Sequence, residues 1–168
     1  MAKEIINRVA NSGIITFDLE EYLPEGKRVL FDIKDWLFEG HILKEKDFRE
    51  KIENHDWQQY NDCHVAIDCS AEAIIPVWAY MLIASSLVPH AKTTIRGSLE
   101  QLESLLFQPI IMNLDITPYI DQRVIIKGCS NLKIVEYAYM AITYKLRPVV
   151  KSIMYGEACS AVPIFKKK

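Results

Sequence analysis

The sequence lacks the short motifs that mark most common catalytic and nucleotide-binding sites. It contains neither G-x-G-x-x-G nor G-x-x-x-x-G-K-S/T, so no phosphate-binding loop is recognisable. The absence of H-E-x-x-H and G-x-S-x-G leaves zinc-protease and serine-hydrolase sites without support. There is no C-x-x-C, which argues against a thioredoxin-type dithiol and against most zinc ribbons. No common enzyme class is indicated by motif.

An excess of charge of one sign is also missing. The chain has 20 basic and 22 acidic residues, mixed along its length, and a formal charge of -2. This distribution offers no basic surface for phosphate backbones, so we expect no nucleic acid partner. The only basic run is Lys166–Lys168, which we predict to be a solvated tail.

The amino terminus lacks the apolar core and small-residue cleavage site of a secretory signal, which predicts a cytoplasmic protein. One segment, Ala73–Ala91, has 19 residues without a charge and approaches the length of a membrane span. It contains Pro76 and Pro89 and lies between two predicted strands, so a buried helix on a sheet is favoured. We therefore expect no membrane association.

The composition predicts one soluble α/β domain over residues 1–168, because half of the residues are hydrophobic and no linker is recognisable. Ile15, Phe17 and Leu19 alternate with polar residues, as in a half-buried strand. A turn at 24–26 then leads to a second apolar stretch at 28–31. These two segments predict an antiparallel hairpin at the amino terminus.

From residue 63 onward, apolar strands alternate with apolar helices. Predicted strands start at 63, 93 and 123, a spacing typical of βαβ units. Ser98 and Gln101 form a capping box for one helix, which Pro109 should end or kink. The fold class is therefore a mixed sheet with a parallel βαβαβ half, an antiparallel amino-terminal hairpin and helices on its faces. No repeat of the solenoid type is evident.

The predicted strands end in similar dipeptides: Cys69–Ser70, Gly97–Ser98 and Cys129–Ser130. Each serine is predicted to be the N-cap of the following helix. Since functional groups collect beyond the carboxyl ends of parallel strands, Cys69 and Cys129 are expected at the mouth of the sheet. A helix start beside each sulfur would also lower the pKa of its thiol.

The remaining cysteines differ in placement. Cys63 and His64 begin the strand that ends near Cys69, about 20 Å away, so we predict a core thiol and exclude both from the site. Cys159 follows Gly156, which we take as a helix C-cap, so its loop can fold back over the sheet. Beside it, Glu157 can supply an oxygen ligand.

Three functions remain open for these cysteines. The first is a metal or iron–sulfur site formed by Cys69, Cys129, Cys159 and Glu157, because thiolates select zinc, copper(I) or iron–sulfur centres. The second is thiol redox or persulfide chemistry, with Cys69 or Cys129 as the attacking thiol. The third is a binding module without a catalytic site, in which every cysteine is a small buried hydrophobe.

Four segments of the sequence resemble a known family. They are Phe31–Gly40, Ala73–Met81, Val124–Cys129 and Val150–Ser160. These strings resemble the bacterial family known as domain of unknown function 2480, and the resemblance spans nearly the whole chain.

The resemblance implies cysteines at the positions of Cys69, Cys129 and Cys159 and none at Cys63. It also implies partners in iron–sulfur cluster assembly, because members are often encoded beside such proteins. The chain departs from the family pattern at Ala158, where a proline usually precedes the last cysteine.

Overall fold

The structure is a computed structural model that describes residues 13–128, 134–157 and 160–168. These residues form an α/β fold with mixed sheet pairing, as predicted for the fold class. The strands are β1 (Ile14–Phe17), β2 (Arg28–Asp32), β3 (His64–Asp68), β4 (Thr93–Arg96), β5 (Arg123–Ile126), β6 (Ser152–Glu157) and β7 (Ser160–Lys166). The α-helices are α1 (Glu45–Asn54), α2 (Val77–Leu87), α3 (Leu99–Asn113) and α4 (Glu136–Leu146).

The chain divides into two compact units. The central unit comprises residues 25–103, and the terminal unit comprises residues 1–24 together with 104–168. The division falls within α3. The prediction of one domain over residues 1–168 is not tested by this division and stays a prediction.

The central unit is a three-stranded parallel sheet in the order β2-β3-β4. Helix α2 connects β3 to β4 as a βαβ crossover, and both α1 and α2 contribute to its core. Phe48 of α1, Ile83 of α2 and Val65 of β3 are fully buried in one apolar cluster. Strand β3 is buried from His64 to Ile67, as expected for the central strand of a parallel sheet.

The terminal unit is a four-stranded sheet in the order β1-β5-β6-β7. The first three strands are parallel, and β7 returns antiparallel to β6 as a hairpin. Helix α4 connects β5 to β6. Its core contains Phe107 of α3, Val124 of β5 and Ile142 of α4, all fully buried.

The predicted amino-terminal hairpin is wrong. β1 pairs with β5 and β2 pairs with β3, each in parallel, so consecutive strands lie in different sheets. The continuous βαβαβ half is also wrong as a single sheet, because β4 and β5 belong to different sheets. The predicted strand positions are confirmed, with starts at His64, Thr93 and Arg123. Periodicity identifies a strand but does not select its partner, which is why positions and pairings fared differently.

The two units repeat the same chain path. Each starts with a strand that leads through an aspartate into one turn of 3₁₀ helix, and each continues as strand, helix, strand. Helix α4 begins and ends 59 residues after α2. The register repeats as well, since the pair His64–Thr93 becomes the pair Arg123–Ser152. We call residues related by this shift equivalent.

The repeat is also visible in the sequence once the structure aligns it. Residues 64–97 and 123–156 align without a gap, and 11 of the 34 positions are identical. The identities are Val65/Val124, Ile67/Ile126, Ile75/Ile134, Ala79/Ala138, Tyr80/Tyr139, Met81/Met140, Ile83/Ile142, Leu87/Leu146, Pro89/Pro148, Lys92/Lys151 and Gly97/Gly156. Most are core or turn positions, so the repeat is conserved where packing and backbone geometry demand it.

Backbone turns repeat with the same precision. Asp62 and Asp121 are equivalent, and both have positive φ, 60° and 53°. Each donates its N–H to the carbonyl of an equivalent residue, His90 or Val149. Aspartate tolerates the left-handed region better than most residues, so the same turn is built twice by the same residue type.

Two predictions concern helix α3. The capping box is confirmed, because Ser98 N–H donates to Gln101 Oε1 at 2.8 Å and Gln101 N–H donates to Ser98 Oγ at 3.2 Å. Of the two predicted effects of Pro109, an end of the helix is wrong, since α3 continues to Asn113, and a kink stays a prediction.

The lysine run is exposed to solvent as predicted, but it is not a free tail. Lys166 lies in β7 opposite Ser152, and Lys167 N–H donates to the Lys151 carbonyl at 2.8 Å. The basic run is therefore part of a hydrogen-bonded hairpin. A lysine-rich end read as composition alone gives no sign of the strand that carries it.

Candidate functional site

Cys69 lies directly after β3, at the carboxyl end of the central sheet, as predicted. Its Sγ is half-buried and contacts the Ala71 carbonyl at 3.7 Å. Its backbone N–H donates to Asp68 Oδ1 at 2.9 Å. The predicted N-cap at Ser70 is wrong, because α2 begins only at Val77. Cys69 is therefore not at a helix amino terminus, and the dipole argument for a reactive thiol does not apply to it.

Two carboxylates end adjacent strands beside Cys69. Asp32 and Asp68 are paired in the β2–β3 register. Asp32 Oδ1 accepts from Ser70 N–H at 3.0 Å and from Lys34 N–H at 2.9 Å. Burial raises the pKa of Asp32, but hydrogen bonds from Ser70 and Lys34, with the Lys34 charge, lower it overall. This carboxylate ties two loops together and stays ionised.

Cys63 and His64 lie at the opposite end of β3 from Cys69, as predicted, and Cys63 is buried as expected for a core thiol. The Sγ of Cys63 lies 3.5 Å from the Asn61 carbonyl. His64 is also buried, with Nε2 at 3.0 Å from the Glu25 carbonyl. Both residues belong to the packing of the central unit.

Cys129 and Cys159 lie outside the described residues, so the predicted meeting of three sulfurs is not tested. The described residues that flank them belong to neighbouring strands of the terminal unit. A methyl group placed on Gly128 would lie 3.0 Å from Gly156 Cα and 2.9 Å from Tyr155 Cζ. The chain before Cys129 thus closely approaches the chain before Cys159, and a side chain larger than glycine at residue 128 would require Tyr155 or Gly156 to shift.

Glu157 is the last residue of β6 and pairs with Ser160 across the hairpin. The prediction that Gly156 is a helix C-cap is wrong, because Gly156 is in the same strand, with φ of 117°. Glu157 Oε1 is buried and has no hydrogen-bond partner among the described residues. An unsatisfied buried carboxylate oxygen is rare in proteins and indicates a missing donor or cation.

In residues 13–128, 134–157 and 160–168 no three His, Cys, Asp or Glu side chains are grouped so as to hold a metal ion. Within the same ranges, no helix is both long enough and apolar enough to span a bilayer.

The surroundings of His55 were not predicted from the sequence. The ring packs among aromatic side chains, with centroids at 4.7 Å from Trp57 and 5.2 Å from Trp36. Nε2 lies 3.0 Å from Tyr60 Oη. Burial lowers the pKa of His55, partly offset by the charge of Asp56. The equivalent residue in the terminal unit is Leu114, a partly buried side chain packed against the core, so His55 takes the place of a partly buried apolar residue.

Comparison with known proteins gives a family and no further relative. The model of a family described as protein of unknown function, DUF2480, matches residues 3–167. The chain belongs to this family. Neither the curated proteins nor the solved structures contain a match. Family membership confirms the resemblance seen in the four sequence segments and leaves the chemistry of the site to be argued from the residues.

Proposed function

We propose that this DUF2480 protein is a cysteine-ligated metal-binding protein that holds zinc or an iron–sulfur cluster with Cys69, Cys129, Cys159 and Glu157. Its role would be that of an accessory in iron–sulfur cluster assembly or metal handling. The observation that carries the proposal is the buried Oε1 of Glu157, which lacks a partner among the described residues. A cation beside this oxygen would offset its desolvation.

Chain connectivity supports a site at this edge of the terminal sheet. Cys129 directly follows Gly128, and Cys159 lies two residues after Glu157. The strands that precede these cysteines, β5 and β6, are paired in parallel, and Gly128 closely approaches Gly156. Ligands of one metal ion must converge within about 2.3 Å of it for sulfur and about 2.0–2.2 Å for oxygen. Two flanks already in contact reduce the rearrangement that such convergence needs.

The donor set favours a soft or borderline metal. Thiolates select zinc, copper(I) or iron–sulfur centres, and one carboxylate oxygen is compatible with each. When bound, a zinc ion would supply Lewis acidity and a cluster would supply electron storage. The residues of this chain would hold the group and shield it from solvent.

The test is the metal content and absorption spectrum of protein purified without oxygen from cells supplied with iron and zinc. Wild-type protein should carry about one metal ion or cluster per chain, because four ligands are available. The double variant Cys129→Ser, Cys159→Ser should lose it. Cys63→Ser is the matched control, since this buried thiol lies at the opposite end of β3 and should leave the metal content unchanged.

Two further variants divide the ligand set. Glu157→Gln keeps the size of the side chain and removes its charge, so it should lower metal occupancy if the carboxylate is a ligand. Cys69→Ser decides whether the cysteine of the central unit is the third thiolate. Metal-free wild-type protein, or an occupancy that survives the double serine variant, would overturn the proposal. Rapid alkylation of Cys129 or Cys159 in such metal-free protein would then favour the thiol-redox function.

A further inference from the structure

The outer edge of β4 is open in the described part of the chain. The central sheet ends at this strand, whereas the equivalent strand of the terminal unit, β6, is covered by β7. Gly97 N–H donates to the Ile67 carbonyl, so alternation along the strand directs the backbone groups of Thr94 and Arg96 away from β3. Unpaired edges of this kind are templates for pairing with another strand.

The helix beside this edge exposes aliphatic side chains. Val77 is 73% exposed, Met81 is 66% exposed and Val88, which follows α2, is 78% exposed. Ile74, just before the helix, is 94% exposed. Between α2 and β4 lies a groove of about 340 Å³ with mostly apolar walls and Arg96 at the end of β4. The open edge of β4 and the apolar face of α2 therefore lie side by side in the central unit.

We infer that β4 pairs antiparallel with β4 of a second copy of this chain, which extends the central sheet across a twofold axis. The axis is perpendicular to the sheet, so both α2 helices remain on the same face. Strands are about 4.8 Å apart, and α2 packs on β3 and β4, so the two helices would be separated by two strand spacings, about 9.6 Å. Helices pack at 8–10 Å, so one operation satisfies the strand edge and the helix face together.

The absence of charge on α2 makes this face complementary to itself. The helix has no charged residue from Val77 to Leu87, so two copies can approach without repulsion. By contrast, α4 carries Glu136 and Lys145. A strand from an unrelated protein could pair with β4, but it would not require a neutral helix beside it. Isologous pairing of identical patches is the commonest form of protein dimer.

The area available is of the size that a dimer needs. Burial of an aliphatic side chain of this size removes on the order of 100 Å² of apolar surface from water. The four exposed side chains of each copy would thus contribute roughly 800 Å² in the dimer. The paired strands and their flanks add to this, towards the roughly 1,200–2,000 Å² of a specific interface.

The experiment is sedimentation velocity across a wide range of protein concentration, under reducing conditions. The 19.4 kDa chain should sediment as a dimer of twice that mass. Met81→Glu places a carboxylate in the interface and should weaken association by roughly thirtyfold or more, the effect of one hot-spot residue. Met81 is largely exposed, so the fold should survive the change.

Met140→Glu is the matched control. Met140 is the equivalent residue on α4 and is 73% exposed, but the edge beside it is covered by β7. This variant should remain dimeric. A second variant, Thr94→Pro, removes one edge N–H without touching the bonds to β3 and should also favour the monomer. A monomeric wild type at all concentrations, or a dimer disrupted by Met140→Glu and not by Met81→Glu, would overturn the inference.

Discussion

The two units share one fold but differ in the charges at the carboxyl ends of their first two strands. In the terminal unit, Lys127 Nζ lies 2.5 Å from Asp18 Oδ2 and 3.6 Å from Glu20 Oε2. In the central unit, Asp68 is equivalent to Lys127. The first strand and its 3₁₀ turn are related by a shift of 14 residues, so Asp32 and Lys34 take the places of Asp18 and Glu20. Each unit therefore holds two acids and one base at this place, with the base on a different element.

This exchange indicates that net charge at the strand ends is conserved while its arrangement is free. The core does not have this freedom, since equivalent phenylalanines and isoleucines fill it in both units. Packing tolerates little change in volume, whereas partly exposed ion pairs can be rearranged at small cost. We therefore expect the two units to differ in the charged groups at their strand ends and to agree in the packing of their cores.

The largest effect is expected from the equivalent core phenylalanines. Phe48 and Phe107 are both fully buried, each in the apolar cluster of its own unit. Replacement of either by alanine should lower the free energy of unfolding by about 3–5 kcal/mol, because it leaves a cavity. Chemical denaturation measures both. A loss below about 1 kcal/mol for one of them would break the equivalence of the two cores.

Next in size are the equivalent glycines Gly97, directly after β4, and Gly156, near the end of β6. Gly97 and Gly156 have φ of 141° and 117°, so alanine at either should cost about 1–3 kcal/mol in backbone strain. At Gly156 the new methyl would also lie 2.6 Å from the Ser160 backbone oxygen. At Gly97 the nearest atoms belong to the Gln101 side chain, which can move away from the methyl group at the cost of its capping hydrogen bond to Ser98. Denaturation should therefore rank Gly156→Ala as the more costly, and the reverse order would contradict this contact.

Features of the fold that depend on local sequence patterns could be predicted, whereas those that depend on distant parts of the chain could not. Strand positions such as His64, Thr93 and Arg123 follow from local apolar runs and were predicted. The pairing of β1 with β5 could not be, because a segment at residues 14–17 carries no local record of a partner at 123–126. The location of Cys69 at a strand end follows from the same local pattern. The start of the following helix, α2, does not follow from that pattern, because a loop from 69 to 76 separates it from β3.

The repeat could not be recognised from the sequence alone, for a related reason. Its identities are spread over buried positions and turns, and the segment that precedes them is shifted by 14 residues rather than 59. A stretch such as Ala79–Met81 and its equivalent Ala138–Met140 becomes a signal only when register is known. The unsatisfied Glu157 oxygen is likewise a property of packing and cannot be read from residue type.

The third prediction exchanges the charges at the strand ends. Lys127→Asp in the terminal unit places three carboxylates together and should destabilise it, by less than the glycine variant because the site is partly exposed. Adding Glu20→Lys recreates the central arrangement and should restore most of the stability. A double-mutant cycle by thermal denaturation measures this coupling. Additive effects without rescue would show that the two charge sets are not interchangeable.

The smallest effect is expected at His55, which takes the place that Leu114 has in the terminal unit. Burial lowers the pKa of His55, so the folded state binds a proton less readily than the unfolded state does. Its contribution to stability is therefore complete above the ordinary histidine pKa of about 6.5 and is lost as the pH falls below it. His55→Leu should remove this acid dependence, because leucine does not titrate.

The measurement is the midpoint of thermal unfolding between about pH 7.5 and pH 5, on either side of the histidine pKa. The His55→Leu curve should fall less steeply towards acid than the wild-type curve. His41→Leu is the control, since this exposed ring contacts only the Glu39 carbonyl among the described residues and should leave the slope unchanged. An unchanged slope for His55→Leu would mean that the aromatic surroundings of His55 accept the charged ring as readily as the neutral one.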